Sequence, residues 1–146
     1  MKNLKKLLLS GMIIGNIFTA TIASAESYPL SITEDEIDLI ALVTMAEAEG
    51  EDEYGKRLVI DTILNRVNSE HFPDTVEEVI YQPYQFESMW NGRADMCYVD
   101  ESICELVRGE VEELTDAYTF FFCSGGYSKY GIPMYQVGNH YFSTYE

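Results

Sequence analysis

Glu47 is the side chain whose place in the sequence most clearly favours chemistry. It lies in the last turn of an apolar helical stretch, and Ile40, Val43 and Thr44 share its helical face. That face should be buried, and a buried carboxylate is costly unless it is paired or has a function. Gly50 should end the helix, so the carboxyl can face a cleft and act as a general acid towards a glycosidic oxygen. A solvated acidic helix end is the alternative that the spacing leaves open.

Helices followed by a short sheet are predicted to position this glutamate. Thr33 and Glu36 form a capping box at the start of the first helix, and Asp74 should cap a short third one. Apolar residues at helical spacing mark the second and fourth helices. Aromatic residues after position 118 favour strands. The fold class is therefore α+β, a helical N-terminal part with a small antiparallel sheet, with helices near 33–48, 52–69, 75–80 and 101–114, and strands near 119–123 and 134–142.

The first 25 residues have the pattern of a secretion signal. Three lysines precede an apolar core at 7–22, and Ala23-Ser24-Ala25 is typical of a cleavage site. The alternative is a retained membrane anchor, but small and polar residues interrupt the apolar core and no basic stop follows. We therefore expect a secreted protein with one domain at 26–146 and no membrane association after cleavage.

The charge of the chain excludes several classes of partner. The 25 acidic and 9 basic residues give a net charge of −16, which becomes −19 when the three signal lysines are removed. Such a protein is poorly suited to binding nucleic acid or an anionic membrane. An anionic polymer would have to be held by shape, hydrogen bonds and stacking, for which the eleven Tyr and seven Phe are suited.

Three cysteines remain in an exported chain, where a disulfide is permitted. Their odd number leaves at least one of Cys97, Cys104 and Cys123 without an intramolecular partner, and every pairing stays open, with the reduced state favoured. The spacings typical of zinc sites do not occur, and neither histidine suggests a cysteine nucleophile. A calcium site at 47–53 lacks the alternating ligand spacing of a calcium loop. We expect no cofactor and no metal.

Several short motifs occur in a characteristic order along the chain. They are Glu47-Ala48-Glu49-Gly50-Glu51, Ile63-Leu64-Asn65-Arg66-Val67, Phe72-Pro73-Asp74-Thr75, Gln82-Pro83-Tyr84-Gln85-Phe86 and Gly138-Asn139-His140-Tyr141-Phe142. Together they resemble the cell wall hydrolase family of the SleB/CwlJ type, the spore-cortex-lytic enzymes. The resemblance extends over about residues 38–142.

This resemblance implies a lysozyme-like domain, related to resuscitation-promoting factors, that acts as a monomer on the glycan strands of peptidoglycan. It implies a lytic transglycosylase that cleaves between MurNAc and GlcNAc in the cell wall or in the spore cortex during germination, with Glu47 as the catalytic acid and base. Two departures bear on substrate preference. Glu49 stands where the family usually has Arg, and the acidic run at 51–53 is heavier than expected.

The residues themselves are compatible with that chemistry. Hydrolysis of a glycoside normally needs two carboxylates at a fixed separation, whereas a lytic transglycosylase needs one glutamate. A muramidase that uses Glu51 or Glu53 as its second carboxylate remains an alternative, as does a non-catalytic peptidoglycan-binding protein. Further side chains are predicted to bind substrate through sugar hydroxyls or stacking, with Gln85 and Phe86 as the leading pair: Gln82, Gln85, Phe86, Asn139 and Tyr141.

Overall fold

The computed structural model describes residues 31–145, so the predicted secretion signal lies outside the described residues. Helices come first along the chain and a sheet comes last, which confirms the predicted α+β class. Among residues 31–145, no helix is both long and apolar enough to cross a membrane. The elements are α1 (Glu34–Ala48), α2 (Glu53–Val67), α3 (Val76–Ile80), α4 (Glu101–Glu112), β1 (Phe121–Ser124), β2 (Ile132–Val137) and β3 (His140–Thr144), with 3₁₀ turns at Glu87–Met89 and Ala94–Met96.

The helix starts follow local capping chemistry. The Thr33 hydroxyl accepts the backbone N–H of Glu36, and the Glu36 carboxylate accepts the backbone N–H of Thr33, as the capping box predicts. The prediction that Asp74 caps α3 was wrong. Thr75 caps it, because its hydroxyl accepts the N–H of Glu78 at 3.2 Å. Asp74 and Thr75 each stand three residues before a glutamate, and the pair that forms in the structure is Thr75 with Glu78.

The main apolar core lies between the four helices. Ile40 and Val43 of α1 are fully buried, as the helical spacing predicted, against Ile60, Ile63 and Val107 of the neighbouring helices. A second cluster joins the end of α1 and the middle of α2 to the sheet through Phe142 of β3. Helix α2 therefore packs against both halves of the domain.

Polar side chains on α2 hold the segment that leads into the sheet. The Asn65 amide donates to the carbonyls of Asp116 and Thr119, both at 2.9 Å, and the Asp61 carboxyl accepts the N–H of Asp116 at 2.7 Å. Asp61 and Glu110 are both buried. Burial, first, and then the neighbouring Glu110 carboxyl raise the pKa of Asp61 to about 9. Asp61 and Asn65 thus have structural roles.

The sheet is antiparallel, with the strand order β1-β3-β2. The first strand begins two residues later than predicted, because residues 119 and 120 face α2 and form the approach to it. The predicted strand region at 134–142 forms two strands, which turn at Gly138 and Asn139. Gly138 has a positive φ of 55°, a conformation that glycine adopts without strain.

Candidate active site

Glu47 lies in the last turn of α1, half-buried, and faces a cleft. One carboxyl oxygen, Oε1, accepts a 2.5 Å hydrogen bond from the Ser88 hydroxyl, and the Ser88 N–H lies 3.4 Å from the same oxygen. Ser88 is only 6% exposed and lies in the 3₁₀ turn that packs against α1. Within the described residues, Oε2 has no hydrogen-bond donor. The hydrogen bond from Ser88 thus fixes Oε1 of Glu47, and Oε2 is available to a ligand in the cleft.

The cleft has a volume of about 560 Å³ and lies between two parts of the chain. One wall is the loop at 84–87, next to the end of α1. The other wall is β1 with the loop at 124–130, and His140 at the start of β3 borders it. The cleft is open to solvent.

Arg66 forms part of the cleft wall and is almost completely buried. Its Nε donates to the Phe120 carbonyl at 2.7 Å, and its Nη1 donates to the Gln85 side-chain oxygen at 2.9 Å. The guanidinium also lies over three aromatic rings at 5.2–5.4 Å, those of Phe72, Phe86 and Phe121. Burial lowers the pKa of Arg66 to about 10, so it stays cationic at neutral pH.

The loop that carries Gln85 is held in an unusual backbone conformation. Tyr84 and Phe86 both have positive φ values, 65° and 35°, which non-glycine residues seldom adopt. Phe86 is 7% exposed and packs against Phe122. Gln85, which lies between Tyr84 and Phe86 in the sequence, is held by the hydrogen bond from Arg66. Such strain persists only where the surroundings impose it, and it is common at functional sites.

Glu51 has a different environment from Glu47. Its carboxylate accepts the Asn139 amide at 2.8 Å and the Asn139 backbone N–H at 3.3 Å. A Cβ at Gly138 would fall 1.6 Å from Glu51 Oε2, so the hairpin backbone passes directly over this carboxylate. Glu51 therefore joins the α1–α2 turn to the β2–β3 hairpin.

The structure brings some of the predicted substrate-binding residues together and separates others. Gln85 and Phe86 line the cleft with Glu47. Gln82 lies in a separate depression beside α3. Asn139 is exposed and bonded to Glu51, and Tyr141 packs edge-on against Tyr127 of the cleft wall at 5.1 Å, but neither borders the cleft itself.

Three contributors to the site were missed from the sequence. Arg66 stands inside a family-like motif and Ser88 just after one, but neither pattern marked the residue as part of the site. The tyrosines and Lys129 of the loop at 127–130 fall in a segment without a motif. His140 is buried against Phe122 at 5.1 Å and also borders the cleft, with no partner for Nδ1 among the described residues.

Residues 31–145 offer less support for the other chemistries, those of a second carboxylate, a metal ion or a cysteine. Glu47 and Glu87 are the carboxylates that line the cleft, and Glu87 is exposed at its rim. Across residues 31–145, no three His, Cys, Asp or Glu side chains converge as metal ligands do. All three cysteines are free, and Cys123 borders the cleft.

A helical part whose first helix ends in a cleft-facing glutamate, with a small antiparallel sheet completing the cleft, is the arrangement of a lysozyme-like domain. Residues 50–143 match the family model described as Cell Wall Hydrolase, and the chain belongs to that family. The matched segment begins at Gly50, so Glu47 lies just before it. The predicted family is confirmed, and with it the prediction of a cell wall enzyme at the level of the family.

Curated relatives match over part of their length. The chain is 38% identical over 77 residues to a spore cortex-lytic enzyme of Halalkalibacterium halodurans, covering 53% of this chain and 23% of that protein. It is 39% identical over 64 residues to the cell wall hydrolase CwlJ of Bacillus subtilis, covering 41% and 45%. The matches span about a quarter of the spore cortex-lytic enzymes.

Two solved structures resemble nearly the whole described domain. The catalytic domain of the Bacillus cereus SleB protein superposes with a TM-score of 0.69 at 25% identity, covering 84% of this chain and 99% of that one. The catalytic domain of SleB from Bacillus anthracis, titled a germination-specific lytic transglycosylase, gives 0.67 at 25% identity, covering 80% and 100%. These likenesses confirm the predicted lysozyme-like α+β fold.

Proposed function

We propose that the chain is a peptidoglycan-lytic enzyme that works as a lytic transglycosylase, with Glu47 as its catalytic acid and base. The observation that carries this proposal is the environment of Glu47. One carboxyl oxygen is held by Ser88 while the other has no donor among the described residues, and the carboxyl faces a cleft large enough for a glycan. Relatives named as spore cortex-lytic enzymes and a lytic transglycosylase support the choice of reaction.

The reaction follows from a single carboxyl. Oε2 of Glu47 gives its proton to the glycosidic oxygen as the bond from C1 of MurNAc to that oxygen breaks. The same oxygen then takes the proton of the muramic C6 hydroxyl as the C6 oxygen bonds to C1. A 1,6-anhydro ring forms, no water is consumed, and Glu47 ends protonated as it began. Ser88 keeps Oε1 in place through both transfers.

The side chains around Glu47 suit a sugar more than an ion. The side-chain oxygen of Gln85 accepts a hydrogen bond from Arg66, so the amide nitrogen of Gln85 is available to donate to a sugar hydroxyl. Phe86 is too buried to offer a broad stacking face, and we assign it to fixing Arg66 and the loop backbone. Gln82, Asn139 and Tyr141 lie outside the cleft and stay predictions for more distant parts of the substrate.

The two alternatives have weaker support. A muramidase needs a second carboxylate against the sugar, but Glu51 is bonded to Asn139, and Glu53 is paired with Arg57 at 2.6 Å on α2. Glu87 at the rim is a further carboxylate in reach of the cleft. A non-catalytic binding protein would not need an oxygen of Glu47 left without a donor.

The proposed place of action is the cell wall outside the membrane. The predicted signal at 1–25 and the family support export. The relatives named as spore cortex-lytic enzymes support the spore cortex as a further place of action. We propose a single catalytic domain at 26–146 that acts as a monomer on glycan strands, with no cofactor.

The product of digestion tests the chemistry. Purified peptidoglycan from spore cortex and from vegetative walls is digested, and the glycan fragments are analysed by mass spectrometry. A lytic transglycosylase gives 1,6-anhydromuramic ends, one water lighter than hydrolysed ends. Reducing ends as the main product, with loss of activity in Glu87→Gln or Glu51→Gln, would establish a two-carboxylate hydrolase instead. No release of fragments from either substrate would favour the binding protein.

A further inference from the structure

A second depression lies beside the cleft, and its walls are aromatic. We call it the aromatic shelf, and it has a volume of about 470 Å³. Tyr81 and Trp90 form its corner, with ring centroids 5.7 Å apart and planes nearly perpendicular at 80°. Its lining residues are Tyr81, Pro83, Tyr84, Glu87, Trp90 and Asn91.

The rings of the aromatic shelf are exposed to an unusual degree. Trp90 is 62% exposed and Tyr84 is 92% exposed, although both could bury large apolar areas. The positive φ of Tyr84 adds backbone strain at a ring that packs against little of its own chain. Clustered exposed apolar groups next to polar ones mark a binding surface more often than a chance arrangement.

The aromatic shelf is continuous with the cleft that contains Glu47. Tyr84 and Glu87 line both depressions. Glu87 begins the 3₁₀ turn that carries Ser88, the hydrogen-bond donor to Glu47. A chain-like ligand that lies across Glu47 can therefore continue past Tyr84 onto the aromatic shelf.

The chemistry of the lining identifies the occupant. Aromatic rings offer faces for the C–H side of a pyranose, and the Asn91 amide and the Glu87 carboxylate offer partners for hydroxyl and N-acetyl groups. The lining residues of the shelf include no cation, and Glu87 opposes any anionic group. An uncharged sugar fits this surface better than an acidic peptide or phosphate.

We propose that the aromatic shelf is a further glycan subsite that binds an uncharged N-acetylhexosamine ring of the strand whose scissile bond lies at Glu47. The assignment rests on the proposed function, because the cleft is taken as the place of cleavage. The competing occupant is a second protein copy, which an apolar surface could also bind.

The chain supplies its own reporter, because Trp90 is its only tryptophan. The Glu47→Gln variant is titrated with a hexamer of N-acetylglucosamine, and intrinsic fluorescence is followed with calorimetry in parallel. Stacking of a sugar on Trp90 predicts a saturable shift in the tryptophan emission whose midpoint agrees with the calorimetric one. Calorimetric binding without a change in emission, or no binding by either method, would overturn the subsite.

Substitutions then separate stacking from general effects. Trp90→Ala should weaken hexamer binding roughly tenfold, as truncation of a well-placed aromatic residue does, and raise KM for peptidoglycan with kcat little changed. Trp90→Tyr should restore most of the affinity. Tyr98→Ala is the matched control, since Tyr98 is also an exposed aromatic residue and lines neither depression. Circular dichroism confirms that each variant is folded.

The outcomes distinguish the subsite from the proposed function. Normal cleavage of peptidoglycan with unchanged KM in Trp90→Ala would refute the subsite alone. Hexamer binding that depends on Trp90, in a protein that releases no fragments, would refute the enzyme and retain the subsite. Sedimentation measures self-association of the protein. If the wild type self-associates, and Trp90→Ala abolishes this while hexamer binding is unchanged, the aromatic shelf binds a second copy of the chain and not a sugar.

Discussion

Two regions of the molecule each carry carboxyls on helices, and they differ in what surrounds those carboxyls. Glu110 accepts Arg57 at 2.5 Å and the Thr115 N–H at 2.6 Å, and Asp61 accepts the Asp116 N–H. Glu47 accepts hydrogen bonds only from Ser88 among the described residues, and only through one oxygen. The first region has its carboxyls enclosed in the fold, whereas Glu47 keeps an oxygen for something outside it.

This comparison shows that a perturbed pKa alone would have pointed to the wrong place. Perturbed titratable groups often mark active sites. Here the raised pKa of Asp61 has a structural cause, its burial next to Glu110 between α2 and the segment that leads to β1. Access to a cleft is the better guide to the chemistry of this domain, because Asp61 Oδ1 also has no hydrogen-bond partner among the described residues but is buried.

Glu47→Gln should have the largest effect on turnover. Gln can keep the hydrogen bond from Ser88 but cannot transfer the proton. General acid–base catalysis contributes roughly 10²–10⁴-fold, and both steps use this group, so the loss should reach the upper end. Release of soluble glycan from peptidoglycan measures it. Glu49→Gln is the control, since Glu49 is exposed and paired with Arg93. Full activity in Glu47→Gln would leave Glu47 with no more chemical role than Asp61.

Ser88→Ala should lower kcat roughly ten- to a hundredfold and change KM little. The Ser88 hydroxyl donates to the Glu47 carboxyl and acts by positioning it, and hydrogen bonds to charged groups contribute about 1.5–3 kcal/mol. Steady-state kinetics on soluble glycan fragments separate the two constants. Ser88→Thr keeps the hydroxyl and should recover much of the rate. A rise in KM with an unchanged kcat would mean that Ser88 binds substrate instead.

Asp61→Asn should change the pH dependence of stability and leave kcat within about twofold, because Asp61 is enclosed in the first region. The folded pKa is about 9 and the ordinary value is 3.8. The folded state therefore holds a proton that the unfolded chain releases, and this contribution to stability is full below about pH 4 and is lost as the pH rises towards 9.

Urea unfolding of wild type and Asp61→Asn between about pH 5 and 9, which lies between the ordinary and the folded pKa of Asp61, measures how the pH dependence of stability differs. The free energy of unfolding should fall more steeply with pH in the wild type, since the amide cannot titrate. Asn65→Ala is the matched control, because it also removes a buried polar group of α2 but leaves the titration in place. Parallel pH profiles for wild type and Asp61→Asn would contradict the assignment of the raised pKa.

Glu51→Ala should have the smallest effect, a loss of about 1 kcal/mol in the free energy of unfolding with kcat little changed. The substitution removes the acceptor for Asn139 and frees the hairpin turn at 138–139, both of which lie outside the cleft. Thermal unfolding measures the loss. Glu53→Ala removes only a solvent-exposed ion pair and should cost less. A large fall in kcat in Glu51→Ala would revive the two-carboxylate alternative.

The helical part of the fold could be predicted because its signals are local. Capping pairs such as Thr33 and Glu36, and apolar residues at helical spacing, specify helix starts and buried faces within a few residues. Glu47 was placed at a buried helix end by the same spacing. Asp74 and Thr75 show the limit, since each stands three residues before a glutamate and the local spacing does not decide which of them caps the helix.

The rest of the site depends on contacts between distant residues. Ser88 meets Glu47 across 41 positions, and Arg66 meets Phe120 across 54. Asn139 looked like a sugar-binding amide, yet its partner is Glu51, 88 positions away. Local spacing carries no information on such pairs. The family-like motifs predict which segments form the site but not which atoms form hydrogen bonds there.

The two bonds of Arg66 determine the gap between the cleft walls. One bond holds the loop at 84–87 through Gln85, and the other holds the approach to β1 through Phe120, so a single guanidinium on α2 spans both sides. The distance between the walls is thereby set by the helical core before any ligand arrives. A glycan that enters the cleft therefore meets two walls that are already joined through one side chain of the helical core.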